Sequence, residues 1–101
     1  MAIIARLIRN KRGTVLAMCD EKLLGKRYSE GKLVLDLIKY RAFYEGEKLD
    51  RSSDELKKMI SEAGSINAVG ENSIRVLQEF GYDVSVAKSV QNIPNLHVYK
   101  I

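Results

Sequence analysis

The sequence predicts an α+β domain: a mostly antiparallel sheet, built from an N-terminal hairpin plus later strands, with two helices packed on it. Three observations carry this prediction. Residues 2–9 (AIIARLIR) and 14–19 (TVLAMC) are β-rich apolar runs separated by a turn that ends in glycine. Two stretches in the second half repeat their apolar residues at helical spacing. Residues 84–90 and 96–101 then return to short strand-like runs. At 101 residues the chain is expected to form a single domain over its whole length.

Taken in order, the first two runs should pair through the turn Asn10-Lys11-Arg12-Gly13, where Gly13 supplies the positive φ that closes a hairpin loop. Most positions on both strands are apolar, which predicts a central hairpin covered on both faces. Residues 20–25 read as a short turn or one helical turn stopped by Gly25, and residues 26–31 as a polar loop. Leu33, Leu35 and Leu37 alternate with period two, favouring a strand over 33–38; Leu33, Leu37 and Tyr40 also fall near helical spacing, so a helix competes there. Ser52-Ser53-Asp54-Glu55 fits a capping box led by Ser52, followed by Leu56, Met59, Ile60 and Ala63 on one helical face and by Gly64 as the stop. A second helix is expected over about 68–80, with Asn67 as cap, a buried side of Val69, Ser73, Val76, Leu77 and Phe80, and Gly81 as terminator. The closing strands are expected to flank the turn Asn92-Ile93-Pro94-Asn95.

Composition excludes several classes. Hydrophobic residues make up 46% and charged ones 30%, the balance of a folded globular chain and not of a disordered one. No apolar run approaches the roughly 20 residues that span a bilayer, and the short N-terminal apolar segment is broken by Arg6, so neither a membrane partner nor a signal peptide is expected. One cysteine excludes an internal disulfide framework and a cysteine-built zinc site, which favours a reducing, cytoplasmic setting. The net charge is +4, and ten of the 17 basic groups but only four of the 13 acidic ones fall within residues 1–41. A basic half on a small domain suits a polyanion, although a solvated, solubilising surface has the same composition.

Individual motifs sharpen the choice. Cys19 is followed directly by Asp20 and Glu21, neighbours that disfavour the thiolate a nucleophile needs; a buried structural cysteine is the simpler reading. Asp20, Glu21, Glu30, Glu45, Glu47 and Glu71 lie in or beside glycine-containing turns. Converging carboxylates can bind magnesium or form an acid–base pair, whereas helix capping and salt bridging are the ordinary roles of such residues. Asn67-Ala68-Val69-Gly70-Glu71 places a cap and a glycine at a helix start, so Asn67 and Gly70 form a candidate anion site; Glu71 stands where a phosphate loop needs lysine. No catalytic residue, metal or cofactor is expected.

The basic groups point to a backbone-binding surface. Arg9, Lys11 and Arg12 form a basic hairpin tip; Lys26 and Arg27, with Lys22 and Lys32, bracket Tyr28; Lys39 and Arg41 bracket Tyr40 and precede Phe43-Tyr44. Cations interleaved with aromatics suit phosphate neutralisation plus base stacking, and Arg9, Lys11, Arg12, Lys26, Arg27 and Tyr28 are the candidate RNA-binding residues. No recognised single-strand or KH-type signature is present, and no sequence-specific DNA binding is expected.

The strings 16–26 (LAMCDEKLLGK), 30–33 (EGKL), 43–47 (FYEGE) and 67–71 (NAVGE) together resemble the archaeal domain-of-unknown-function family 424. The resemblance spans nearly the whole chain with its motifs in order. It implies a cytosolic protein of archaeal type, without an established activity, whose natural partner is RNA, the ribosome or a translation factor. It supplies no catalytic residues. The family pattern places a histidine after the C-terminal proline, where this chain has Asn95 and carries its one histidine at position 97. The leading expectation is a non-enzymatic, RNA- or ribosome-docking module. A protein-interaction subunit, homodimer or adaptor, is the first alternative, and a small carboxylate-based metal enzyme the second.

Overall fold

The hairpin organises everything else. In the computed structural model, which describes residues 2–100, β1 (Ala2–Asn10) and β2 (Gly13–Asp20) pair antiparallel, from Ile3 opposite Asp20 to Asn10 opposite Gly13. A single 3-10 turn over Glu21–Leu23 follows. A small two-stranded sheet comes next, β3 (Arg27–Glu30) against β4 (Leu33–Asp36), and then the one-turn helix α1 (Arg41–Tyr44). Strand β5 (Glu47–Asp50) adds to the free edge of β1, and α2 (Asp54–Glu62) crosses the sheet to β6 (Ser65–Val69), which pairs parallel with β2. Helix α3 (Glu71–Glu79) leads to a last hairpin, β7 (Lys88–Val90) and β8 (Ile93–Tyr99). The large sheet has six strands in the order β5-β1-β2-β6-β8-β7, antiparallel apart from the β2–β6 pair.

Strand alternation sorts side chains to the two faces of this sheet. Ile3, Ala5, Leu16, Met18, Ile66, Ala68 and Leu96 face the helices and pack with Leu56 and Ile60 of α2 and Ile74, Val76 and Leu77 of α3. Each such fully buried aliphatic side chain contributes about 1.5–3 kcal/mol of transfer free energy. On the opposite face Ala17, Cys19 and Val69 pack against Leu23, Leu37 and Tyr44, which bring the small β3–β4 sheet and α1 down as a third layer.

The predicted class and the central hairpin hold, and the differences are local. The segment read as a loop over 26–31 contains β3, whose only large apolar residue is Tyr28. The Leu33–Ile38 strand is real but stops at Asp36, whose Oδ1 accepts from the Ile38 and Lys39 amides and turns the chain. Ser53, not Ser52, caps α2, its hydroxyl accepting from the Leu56 amide at 3.3 Å; Ser52 instead donates to Asp50. The C-cap of α2 is Ala63, and the Gly64 amide donates to the Thr14 carbonyl, extending the β2–β6 pairing by one bond. Asn67 does not cap the second helix: it lies inside β6, and α3 begins only after Gly70. Of the buried side expected for that helix, Ser73, Val76 and Leu77 are buried, whereas Val69 belongs to β6 and Phe80 is exposed. The last turn is Gln91-Asn92, two residues at φ 50° and 63° as a tight hairpin requires, and Pro94 lies within β8. Proline is tolerated there because the β6 ladder has already ended, and its carbonyl accepts from the Gly70 amide at 2.8 Å. Ile101, the predicted end of the last strand, lies outside the described residues.

Candidate functional site

The third layer meets the β7–β8 hairpin at its turn, where Gln91 donates to Glu30 and Ser29 and Ile93 packs into the second core. It leaves His97 and Tyr99 exposed further along β8. On the face turned away from the helices, β6 and β8 therefore present Asn67, Asn95 and His97 to a cleft of about 410 Å³ whose other wall is Leu37, Tyr40, Phe43 and Tyr44. Local sequence makes each wall. The Asp36 cap bends the chain so that Lys39 and Tyr40 project beside the cleft. One helical turn later Phe43 and Tyr44 meet edge to face, ring centroids 5.0 Å apart at 87°. Tyr44 is buried, whereas the Tyr40 ring is 54% exposed with the Lys39 ammonium 5.4 Å from its centroid.

The polar groups of the cleft are held in place. The Tyr44 hydroxyl donates to Asn67 Oδ1 at 3.2 Å, and Asn95 Nδ2 donates to the Lys88 carbonyl at 3.3 Å. Burial, with the neighbouring Cys19 adding to it, pushes the Tyr44 phenol up to about 12, so it stays protonated and keeps donating at neutral pH. Beneath it Cys19 is pushed up to about 12 as well, by burial first and by the Asp20 charge second, which leaves an inert thiol. At the rim, Arg27 Nε stands 3.7 Å from the cleft-lining Asp36, and the Lys26 carbonyl accepts from the amide of Leu37. The arrangement can hold a flat apolar group against an aromatic ring, hydrogen-bond its edge and neutralise a neighbouring anion.

The candidate residues divide between layers. Arg27 reaches the cleft-lining Asp36, the exposed Lys26 meets the cleft-lining Leu37 through its backbone carbonyl, and Tyr28 is half-buried and packs into the second core cluster. Arg9 points to the opposite face of the sheet, its guanidinium 3.5 Å from Glu62 of α2. Lys11 and Arg12 form the exposed two-residue loop of the β1–β2 hairpin. The cations of the first 41 residues thus do not share one surface. His97 and Tyr99 fall at period two within the strand expected over 96–101, and Asn95 shares their face only because β8 begins at Ile93, inside the segment read as a turn.

The carboxylates take separate partners. Asp20, 1% exposed, accepts from the Asn72 and Ser73 amides at 3.0 and 2.9 Å and from the Asn72 and Ser73 side chains at 3.2 and 2.9 Å. It is the cap of α3, supplied from another strand, and it fills the helix start where the sequence placed an anion site at Asn67 and Gly70. Glu21 pairs with Lys48 at 3.1 Å, Glu45 with Arg41 at 3.8 Å, and Glu30 accepts from the Gln91 amide at 3.0 Å. Glu47 lies against Glu55, whose hydrogen bond and charge raise its carboxyl above the usual range. Among the described residues no group of three or more histidine, cysteine or acidic side chains is placed to hold a metal ion, and no helix is long and apolar enough to cross a membrane.

A crystal structure of an uncharacterized conserved protein from Methanopyrus kandleri has a similar fold, with a TM-score of 0.81 and 21% identity over 98% of this chain and 91% of that one. At that identity the likeness speaks for the fold alone. No curated protein matches the chain. Residues 8–101 match the model of a family described as a protein of unknown function, DUF424. The chain, with its capped β2–α3 junction and the cleft beside β8, belongs to the DUF424 family.

Proposed function

We propose that this protein is a non-enzymatic RNA-binding module, acting in the cytoplasm in association with the ribosome or a translation complex, and that it takes a single-stranded segment into the cleft beside β8. The observation that supports this reading is the combination of an exposed tyrosine ring and two hydrogen-bonded side-chain amides in one cleft, with Lys39 beside the ring and Arg27 beside the cleft-lining Asp36. A base stacks on Tyr40, and Lys26, Arg27 and Lys39 neutralise the flanking phosphates. Single-stranded RNA fits better than duplex, since stacking on a side chain requires an unpaired base. Arg9, Lys11 and Arg12 lie away from such a segment and contact the backbone only of a longer RNA.

Fluorescence anisotropy with a labelled single-stranded RNA tests the proposal. With three or four phosphate contacts, affinity should fall roughly ten- to fiftyfold between about 50 and 200 mM salt. Tyr40→Ala should remove a stacking contact worth about 1–3 kcal/mol. Binding that ignores both salt and Tyr40→Ala would overturn the reading.

One observation favours a second reading, as a protein-interaction subunit. Strand β7 covers β8 only from Ile93 to Asn95. The Pro94 carbonyl and Lys100 amide point toward β6, so alternation turns the backbone groups of His97 and Tyr99 outward to an open edge. Such an edge can accept a strand from a translation factor or from a second copy of the chain.

A further inference from the structure

Strands β5, β2 and β6 run in the same direction, so β5 and β6 end at the same end of the sheet and α2 and α3 both begin there. Between the two helix starts lies a cleft of about 280 Å³, lined by Asp50, Arg51 and Ser52 from the β5–α2 turn and by Asn72 and Arg75 from α3. Arg9, Arg27 and Arg41 each meet a carboxylate, and Arg6 donates to the Ala42 carbonyl. Among the described residues the side chains of Arg51 and Arg75 have no ion pair and no hydrogen bond. Arg51 is nevertheless half-buried. A guanidinium that gives up water without gaining an acceptor is unfavourable, and a second cation on the same cleft adds repulsion. The one acid of the lining does not relieve them. The Ser52 hydroxyl first, then the Ser52 and Arg51 amides, hold the Asp50 carboxyl below its usual range and turn its charge into its own loop.

We infer that Arg51 and Arg75 form a binding site for a dianionic phosphate group, a terminal phosphate monoester, held in this cleft between the β5–α2 turn and α3. Each guanidinium presents a planar fork of donors that matches two phosphate oxygens. A monoester carries close to two negative charges near neutral pH and three free acceptor oxygens, enough to engage both forks. A phosphodiester carries a single charge and serves the pair less well. The site is built from side chains. Asp20 already takes the Asn72 and Ser73 amides at the start of α3, Ser53 takes the Leu56 amide in α2, and Asn72 is committed to Asp20. Open α/β sheets place ligands in the same position, outside the carboxyl ends of parallel strands. The cleft lies on the helical side of the sheet, away from the one beside β8, and does not depend on how that one is read. Small phosphate esters and the 5′ end of an RNA both carry the group it takes.

NMR titrations that follow the guanidinium Nε–H signals of Arg51 and Arg75 test the site. Inorganic phosphate and ribose 5-phosphate should move both signals together to saturation, and dimethyl phosphate should bind about tenfold more weakly. Arg75→Gln, on the exposed face of α3, and Arg51→Gln should each weaken inorganic phosphate about tenfold or more, with amide signals outside the cleft showing that each variant folds. Arg75→Lys keeps the charge without the fork and should recover only part of that loss. Lys58→Gln removes one charge from α2 away from the cleft and should change affinity by less than about twofold. A short RNA with and without its 5′ phosphate separates the sources. A gain of about tenfold from that phosphate, lost in Arg75→Gln, identifies an RNA end; ribose 5-phosphate binding with no such gain identifies a small ester. The inference is overturned if inorganic phosphate leaves both signals in place, if it binds Arg51→Gln and Arg75→Gln as tightly as the wild-type chain, or if dimethyl phosphate binds equally well.

Discussion

Asp20 and Gly70 show how one buried carboxylate settles where an element begins. Gly70 sits at φ 105°, and a methyl group there would run into the Asp20 carboxylate, so the strand-to-helix junction needs a residue without a side chain. Asp20→Ala strips the Asn72 and Ser73 amides and the Ser73 hydroxyl of their acceptor in a buried place. We expect a stability loss of about 2–4 kcal/mol, since each unsatisfied buried donor costs about 1–3 kcal/mol. Gly70→Ala should cost a similar amount through backbone strain and displacement of the carboxylate. Thermal denaturation followed by circular dichroism checks both, as a fall in Tm of roughly 10–20 °C. Losses below about 1 kcal/mol would show that the cap is dispensable. The sequence marked this junction as special through its glycine and its acids. It could not show that the cap comes from position 20, because a contact between strand end and helix start 52 positions apart leaves no local pattern.

Elements with a strong apolar period were the legible ones. The stripe of Leu56, Met59, Ile60 and Ala63 announces α2 because the helix buries one face and solvates the other. Strands β3 and β5 were missed because each carries a single large apolar side chain, Tyr28 and Leu49, among polar neighbours. The β6 strand was absorbed into the following helix, since Ala68 and Val69 also suit the helical spacing and only Gly70 separates the two. Its strand character comes from pairing with β2 and β8, a tertiary choice that overrides local preference. The open part of β8 carries its own prediction. Strand addition between copies would raise the mass measured by light scattering from 11.4 kDa toward twice that value as concentration rises. A constant 11.4 kDa at low and high concentration would rule out self-association and leave the edge to another partner.

For the whole molecule, the layer order decides what the charge can do. The six-stranded sheet separates Arg9, which meets Glu62 on the helical side, from Lys26 and Arg27 on the other. A count of basic residues along the chain measures a footprint without placing it, which is why the excess in the first 41 residues was visible and its division between two layers was not. The aromatics were more informative. Tyr40, Phe43 and Tyr44 were legible as a cluster beside Lys39 and Arg41, and they form one wall of the cleft that β6 and β8 complete. The central claim is that RNA docks in this cleft, and chemical-shift mapping by NMR tests it most directly. Titration with single-stranded RNA should move the signals of Tyr40, Phe43, Asn67, Asn95 and His97 together and leave the Lys11-Arg12 loop near its starting position. Shifts confined to that loop or to α2, or no shifts at all, would contradict the account.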